Sequence, residues 1–382
     1  MNKLLSIFTF YVILILSQTA DASDNKTALI FGVTGQDGTY LTEFLLKKNY
    51  KVHGVHRHDS ATGTDNLEIM LNDIAPLQRN FFLHEGDVTD KNTIRTLLET
   101  IEPDEVYNLA AQSQVGLSFE LAELTTQVNA IGTLHILEAI KQLARTKQIK
   151  FFQAGTSEMF GIAQEVPQTE NTPFYPRSPY GVSKLFAHWM TKNYRDTHKI
   201  FACNGILYNH ESPLRPDAFV TRKITLAASK IKLGLQDTLY IGNIDSQRDW
   251  GYGKDYVEAM WLMMQHETPS DYVIATGNTH SVREFIEMAF KELDIEIEWH
   301  GAGVDEYGTD KMSGKIIVRI DPKFYRPAET NRLVGNPSYA EKTLGWKPKT
   351  NFNDLVKIMV DADYQKALKQ QPIVENIPSR VK

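Results

Sequence analysis

A tyrosine and a lysine four residues apart, in Tyr180-Gly181-Val182-Ser183-Lys184, open the chemical reading of this chain. On a helix the i,i+4 spacing puts both side chains on one face. A nearby ammonium stabilises phenolate and lowers a tyrosine pKa from its usual value of about 10. Such a pair could take a proton near neutral pH. Alone the pattern is common, and two solvated residues on a helix surface would also produce it. A second pair of reactive groups precedes it in Ala154-Gly155-Thr156-Ser157-Glu158, a hydroxyl and a carboxylate closing an apolar run. Thr156, Glu158, Tyr180 and Lys184 form the candidate catalytic set.

Groups so far apart in sequence need a scaffold, and the hydropathy pattern supplies one. Short apolar strands are predicted at Thr27–Phe31, Lys51–Val55, Asn80–Leu83, Val106–Ala110, Lys150–Ala154 and Ile200–Leu207. Helical periodicity lies between them at Tyr40–Lys48, Asp90–Ile101, Leu121–Leu143 and Ser178–His198, with Asp90 as an N-cap and Pro179 at a permitted first-turn position. Alternation of this kind predicts an α/β fold with a Rossmann-type, doubly wound parallel sheet. Ligands of such sheets bind at the carboxyl ends of the strands, which is where Thr156 and Glu158 fall. Past about residue 210 the alternation breaks into shorter segments. The division expected is a dinucleotide-binding domain over 26–208, a smaller segmented α/β substrate-binding region over 209–365 that returns in part to the first domain, and a polar tail over 366–382.

The first strand runs into Gly32-Val33-Thr34-Gly35-Gln36-Asp37-Gly38, which opens the first helix. Glycines so spaced permit a tight turn and let backbone approach a pyrophosphate at a helix N-terminus. At the end of the second strand an acid would bind a ribose 2′-hydroxyl, whereas an arginine accommodates a 2′-phosphate. The chain reads Val55-His56-Arg57-His58-Asp59-Ser60, and Arg57 favours NADP, although Asp59 opposes a phosphate. His53, His56 and His58 do not make a metal site: on a strand 56 and 58 share a face, 53 points away, and no third ligand converges.

Together the glycine fingerprint, Leu109-Ala110-Ala111-Gln112-Ser113 and the Tyr-x-x-x-Lys helix resemble the extended short-chain dehydrogenase/reductase superfamily. The stretches Thr156–Gly161, Thr172–Tyr180, Asn209–Pro213, Arg248-Asp249-Trp250, Tyr325-Arg326-Pro327 and Leu344–Pro348 are similar to the GDP-mannose 4,6-dehydratase family over about residues 27–365. The resemblance implies NADP-dependent dehydration of GDP-mannose to GDP-4-dehydro-6-deoxy-mannose, with Tyr180 and Thr156 at O4, and Glu158 at C5 and C6. It implies that Gly32, Thr34, Gly35, Gln36, Asp37, Gly38, Arg57, Asp87, Val88, Leu109, Ala110, Ala111, Gln112, Ser113, Lys184, His210 and Arg215 hold the cofactor. Ser113, Glu158, Tyr180, Asn209, Arg222, Lys223, Arg248, Arg326 and Glu329 would hold the substrate. A homodimer or homotetramer is implied as well. The chain departs from the family pattern at Leu124, where a tyrosine is usual, at Gly155 for a serine, at Leu214, and at Asn331 where an acid is expected.

Other classes fit less well. With 41 basic and 47 acidic residues there is no cationic surplus for nucleic acid, and one cysteine, Cys203, allows neither an internal disulfide nor a cysteine zinc site. A 4-epimerase needs no base at C5, so Glu158 argues against it. dTDP- or UDP-glucose dehydratases usually carry an aspartate where Ser157 stands. A non-catalytic NADP-binding protein would have no need of the full set. Residues 1–22 read differently: Lys3, an apolar run of about 13 residues from Leu4 to Leu16, then Ala20-Asp21-Ala22, is the layout of a secretory signal peptide, with an N-terminal extension as the alternative. The run is shorter than the roughly 20 residues that span a bilayer. Localisation stays open between that layout and the cytoplasm implied by the resemblance.

Overall fold

Strand β1 (Thr27–Phe31) buries both of its faces: Ala28 and Ile30 enter one apolar cluster, Leu29 and Phe31 another. A strand covered on both sides by helices reads as an unbroken apolar run, and this one seeds the centre of the computed structural model, which describes residues 26–58, 64–144, 146–324 and 333–370. Strands β2 (Lys51–His56), β3 (Phe81–Glu85), β4 (Glu105–Asn108), β5 (Lys150–Ala154) and β6 (Phe201–Leu207) join it, with β11 (Asp271–Ile274) arriving from the second half of the chain. All neighbouring pairs are parallel, in the order β11-β6-β5-β4-β1-β2-β3. The chain winds outward from β1 in both directions, so a crevice opens between the carboxyl ends of β1 and β4. The predicted doubly wound sheet is therefore present.

One face carries α1 (Gln36–Lys47) and α8 (Gly253–Gln265), through Leu41, Leu45, Met260 and Met263. On the other lie α3 (Lys91–Ile101), α5 (Gly132–Leu143) and α6 (Pro179–His198), through Ile94, Leu98, Ile136, Ile140 and Tyr194. Helix α2 (Asp65–Asp73) flanks α1. As predicted, Asp90 caps α3 by accepting from the Asn92 amide and Pro179 stands in the first turn of α6; Ser178, expected as the first residue of that helix, is instead its cap and accepts from the Gly181 amide at 3.0 Å. The stretch predicted as one helix from Leu121 to Leu143 is instead α4 (Ala122–Thr126), a π-helical turn at Gln127–Ile131, then α5.

Beyond β6, strand β7 (Asn209–Glu211) pairs in parallel with β10 (Trp250–Tyr252), and β9 (Gln247–Arg248) pairs with β12 (His280–Ser281). A four-stranded sheet, β13-β14-β15-β8 (Ile297–His300, Tyr307–Asp310, Ile316–Ile320 and Leu239–Ile241), packs with α7 (Val220–Lys232), α9 (Val282–Lys291) and α11 (Phe352–Lys369) around a second core that includes Ile224, Phe285, Val318 and Met359. Helix α10 (Ser338–Leu344) packs on β11. The expected polar tail from 366 begins inside α11, which runs to Lys369 because Ala367 is still buried on its inner face. Residues 1–22 lie outside the described residues; among the described residues no helix is long and apolar enough to cross a membrane.

Candidate active site

The carboxyl ends of β4, β5, β6 and β7 open onto a cleft of about 1080 Å³. Thr156 follows β5 in extended conformation, and its hydroxyl accepts the Glu158 amide at 3.2 Å, which starts a single turn over Ser157–Met159. That turn aims Glu158, half-buried, into the cleft. Helix α6 begins against it: a side chain at Gly181 would come within 2.8 Å of the Glu158 carbonyl oxygen, so only glycine allows this approach. The Tyr180 amide donates to Ser118 Oγ at 3.2 Å, and the Tyr180 hydroxyl is hydrogen-bonded to Thr156. Lys184, one turn on and 3% exposed, donates from Nζ to the Ala154 carbonyl at 2.9 Å. The four catalytic candidates thus meet in one cleft.

The electrostatics differ from the simple expectation. Burial pushes Tyr180 up to about 12, against the pull of its Thr156 hydrogen bond, and burial pushes Lys184 down to about 8. The ammonium lies 6.0 Å from the centre of the Tyr180 ring and donates to the Ala154 carbonyl.

On the β1 side, Gly32 has φ +82°, and a side chain there would strike the Ala110 amide nitrogen at 2.8 Å. A side chain at Gly38 would come within 2.4 Å of the Gly32 carbonyl. Gly35, at the N-cap of α1, has only one atom as near as 3.4 Å, and no side chain caps the helix. A helix N-terminus open over glycine is a cradle for phosphate oxygens, so these residues fit a dinucleotide. Asp37 pairs with His210 at 2.8 Å, and Gln36 holds both the His210 carbonyl, at 3.1 Å, and Ser212 Oγ, at 2.7 Å. Burial alone would raise Asp37, but His210 keeps it below its ordinary value; burial would lower His210, but Asp37 keeps it above. Arg57 is exposed at the end of β2, Asp87 accepts the Thr89 amide after β3, and Val88 is buried beside it. Asp59 and Ser60 lie outside the described residues.

Of the remaining predicted cofactor residues, Leu109, Ala111, Ser113, His210 and Arg215 line the cleft; Ala110 and Gln112 lie in the same segment after β4, and Thr34 is buried in the glycine turn. Asn209, Lys223 and Arg248 of the predicted substrate residues line it too. Arg222 does not: its guanidinium turns inward onto Asp363 of α11, because a buried cation is stable only beside a buried carboxylate. Arg326 and Glu329 lie outside the described residues, as does Asn331.

The comparisons with known proteins agree with this geometry. Residues 29–359 match the family model described as GDP-mannose 4,6 dehydratase. A GDP-mannose 4,6-dehydratase of Yersinia enterocolitica is 51% identical over 352 residues, which cover 90% of this chain and 95% of that one. One of Drosophila melanogaster is 51% identical over 352 residues, 92% of this chain and 89% of its own. The chain belongs to the GDP-mannose 4,6-dehydratase family. Its fold is also that of more distant enzymes: a UDP-glucose 4-epimerase of Thermotoga maritima superposes with a TM-score of 0.74 at 21% identity, over 90% of this chain and 99% of the epimerase.

Against the family pattern, Leu124 sits on α4 and is 44% exposed. A side chain at Gly155 would meet the Gly205 carbonyl at 2.7 Å, so the serine expected there from the resemblance would require β5 and β6 to shift. Sequence reasoning missed Asn129. It lies in the π-helical turn, 1% exposed, accepts the Gln112 amide at 2.9 Å, and donates to the Gln112 carbonyl at 3.0 Å and to Ser183 Oγ at 3.2 Å. It therefore ties the segment that follows β4 to α6. The only signal in the sequence was an asparagine at helical spacing from Ile136 and Ile140, on the apolar side of the predicted helix.

Proposed function

We propose that the cleft converts GDP-mannose to GDP-4-dehydro-6-deoxy-mannose with NADP as a bound, regenerated cofactor. Bound there, the nicotinamide would take a hydride from C4 of the sugar and return it at C6. Tyr180 removes the O4 proton and Thr156 holds the same oxygen. The resulting C4 ketone acidifies the C5 hydrogen, which Glu158 takes; Glu158 then gives that proton to the C6 hydroxyl and water leaves, and hydride return at C6 is matched by a proton to C5 from Tyr180, which is thereby restored. Lys184, Asp37, His210 and Arg215 hold the cofactor side, while Lys223 and Arg248 supply cations for the substrate diphosphate. The convergence of Thr156, Glu158, Tyr180 and Lys184 in one cleft carries the reading. Glu158 is what an epimerase would not require. Arg57, exposed at the end of β2, supports NADP over NAD.

A homo-oligomer is part of the proposal. Val182, Phe186 and Trp189 form an exposed apolar stripe on α6, 56%, 39% and 51% exposed, with Leu121 and Leu124 exposed near α4. Apolar stripes of this kind mark an interface. Incubation of the purified chain with GDP-mannose, dTDP-glucose and UDP-glucose in turn, followed by mass spectrometry, tests the activity. Loss of one water from GDP-mannose alone is expected. Loss from another sugar nucleotide would move the specificity, and loss from none would overturn the reading.

A further inference from the structure

Arg222 and Asp363 form a buried ion pair 141 residues apart in sequence that the proposed chemistry does not use. Asp363, on α11, is 1% exposed and Arg222, on α7, 4%. One carboxylate oxygen of Asp363 accepts Arg222 Nη2 at 2.5 Å; the other accepts Nε at 2.9 Å and Thr225 Oγ1 at 2.6 Å. The remaining arm of the guanidinium, Nη1, donates to the Arg215 carbonyl oxygen at 2.7 Å and to Asp217 at 3.2 Å. The planar fork fixes the direction of that arm once Asp363 holds the other two nitrogens.

The segment so held is the one that lines the cleft. The Arg215 amide donates to the Ser212 carbonyl at 3.0 Å, and Ser212 Oγ donates to Gln36 of the glycine turn at 2.7 Å. The Arg215 guanidinium packs on the Phe219 ring at 3.8 Å, with Nε 3.2 Å from Glu211, itself held by Thr221 Oγ1 at 2.6 Å. An unbroken line of polar contacts runs from α11 through Arg222 and Arg215 to the cofactor turn. We propose that Asp363 is a positioning residue for the cofactor: through Arg222 it fixes the backbone at Arg215 and so aims Arg215 into the cleft. This rests on reading Arg215 as a cofactor residue. Without Asp363 the guanidinium of Arg222 is left with Asp217 as its one acidic partner, and the Arg215 carbonyl loses its fixed donor.

The test is the dissociation constant of NADP⁺ for the purified full chain, by calorimetry, alongside thermal midpoints. Asp363→Asn weakens NADP⁺ by about tenfold, the scale of one charge-assisted hydrogen bond. Met359→Ala, which opens a cavity in the same helix and leaves the pair intact, lowers the midpoint but changes the constant less than about twofold. Should Asp363→Asn not fold, Arg222→Lys decides: it keeps a cation for Asp363 and loses the arm to Arg215, and the same weakening is expected. Equal weakening by Met359→Ala, or none by the strut variants while Arg215→Ala weakens binding, overturns the proposal. Unchanged binding by Arg215→Ala overturns instead the reading of Arg215 on which it rests. With the strut at work, Asp363→Asn adds nothing further in the Arg215→Ala background.

Discussion

Under the proposed function Glu158 is the residue that separates a dehydratase from an epimerase, because it is the group assigned to C5 and C6. In Glu158→Gln the shape of the turn after Thr156 is kept and the base is lost. Oxidation at C4 should proceed and the dehydration should not. The expected result is reduced cofactor accumulating on the enzyme, seen by its absorbance, with product formation slowed by about a hundredfold or more. Dehydration at the parent rate would remove Glu158 from its role. His210 gives a second residue-scale prediction. Burial opposes its charge, yet Asp37 at 2.8 Å keeps its pKa above the ordinary 6.5. The charged form is therefore favoured by the fold: its contribution is complete below 6.5 and is lost as pH rises through the raised value. The cationic ring stands beside the open N-terminus of α1, so NADP⁺ affinity should decline over that alkaline rise. His210→Gln should bind more weakly at low pH and show no such step; a parallel pH profile in the two proteins would sink the assignment.

At the scale of elements, β1, the glycine turn and α1 were legible because apolar run, glycine spacing and helical period all point the same way. The junction at 127–131 was not: the periodicity of 121–143 reads as one helix, and the π-helical turn is set by Asn129 reaching across to Gln112, a contact that no local propensity encodes. Arg222 shows the same limit. On α7 it looks like a cation for a diphosphate, and only α11 reveals the carboxylate that turns it inward. The Tyr180–Lys184 pair was placed correctly by its spacing, but its electrostatics depend on how deep α6 sits, which spacing does not give. Helix α6 carries its own prediction. Its inner face holds Tyr180 and Lys184 and its outer face exposes Val182, Phe186 and Trp189. If the outer face of α6 is the interface of the proposed homo-oligomer, Trp189→Glu should give a smaller species in sedimentation while leaving the helical circular dichroism intact. An unchanged sedimentation coefficient would move the interface elsewhere.

Across the whole molecule, the strand that closes the sheet, β11, is bound to the rest by charge as well as by ladder hydrogen bonds. Asp271 accepts from Arg195 Nη1 and Nη2 at 2.8 and 3.0 Å and from the Asn204 amide group at 2.8 Å. His188 lies beside this group, 3% exposed, its Nε2 3.9 Å from Asp271 and its ring edge-on to Phe174. Burial pushes His188 down to about 4, more than Asp271 can offset, and Lys192 and Arg195 push the same way. The unfolded chain therefore binds this proton first as pH falls. The stability associated with neutral His188 is present above 6.5 and is lost progressively between 6.5 and about 4, a total of about 3 kcal/mol. Asp271 acts in a separate window: burial would raise it, Arg195 holds it below its ordinary 3.8, and its contribution is lost only as pH falls below that. The two windows can be told apart by denaturant midpoints measured from pH 7 to 3. His188→Gln should flatten the decline between 6.5 and 4 and leave the steeper loss below 4. If the two curves stay parallel throughout, the acid sensitivity of the fold lies outside this junction; if only the upper limb flattens, neutral His188 is what limits the closing of the sheet in mild acid.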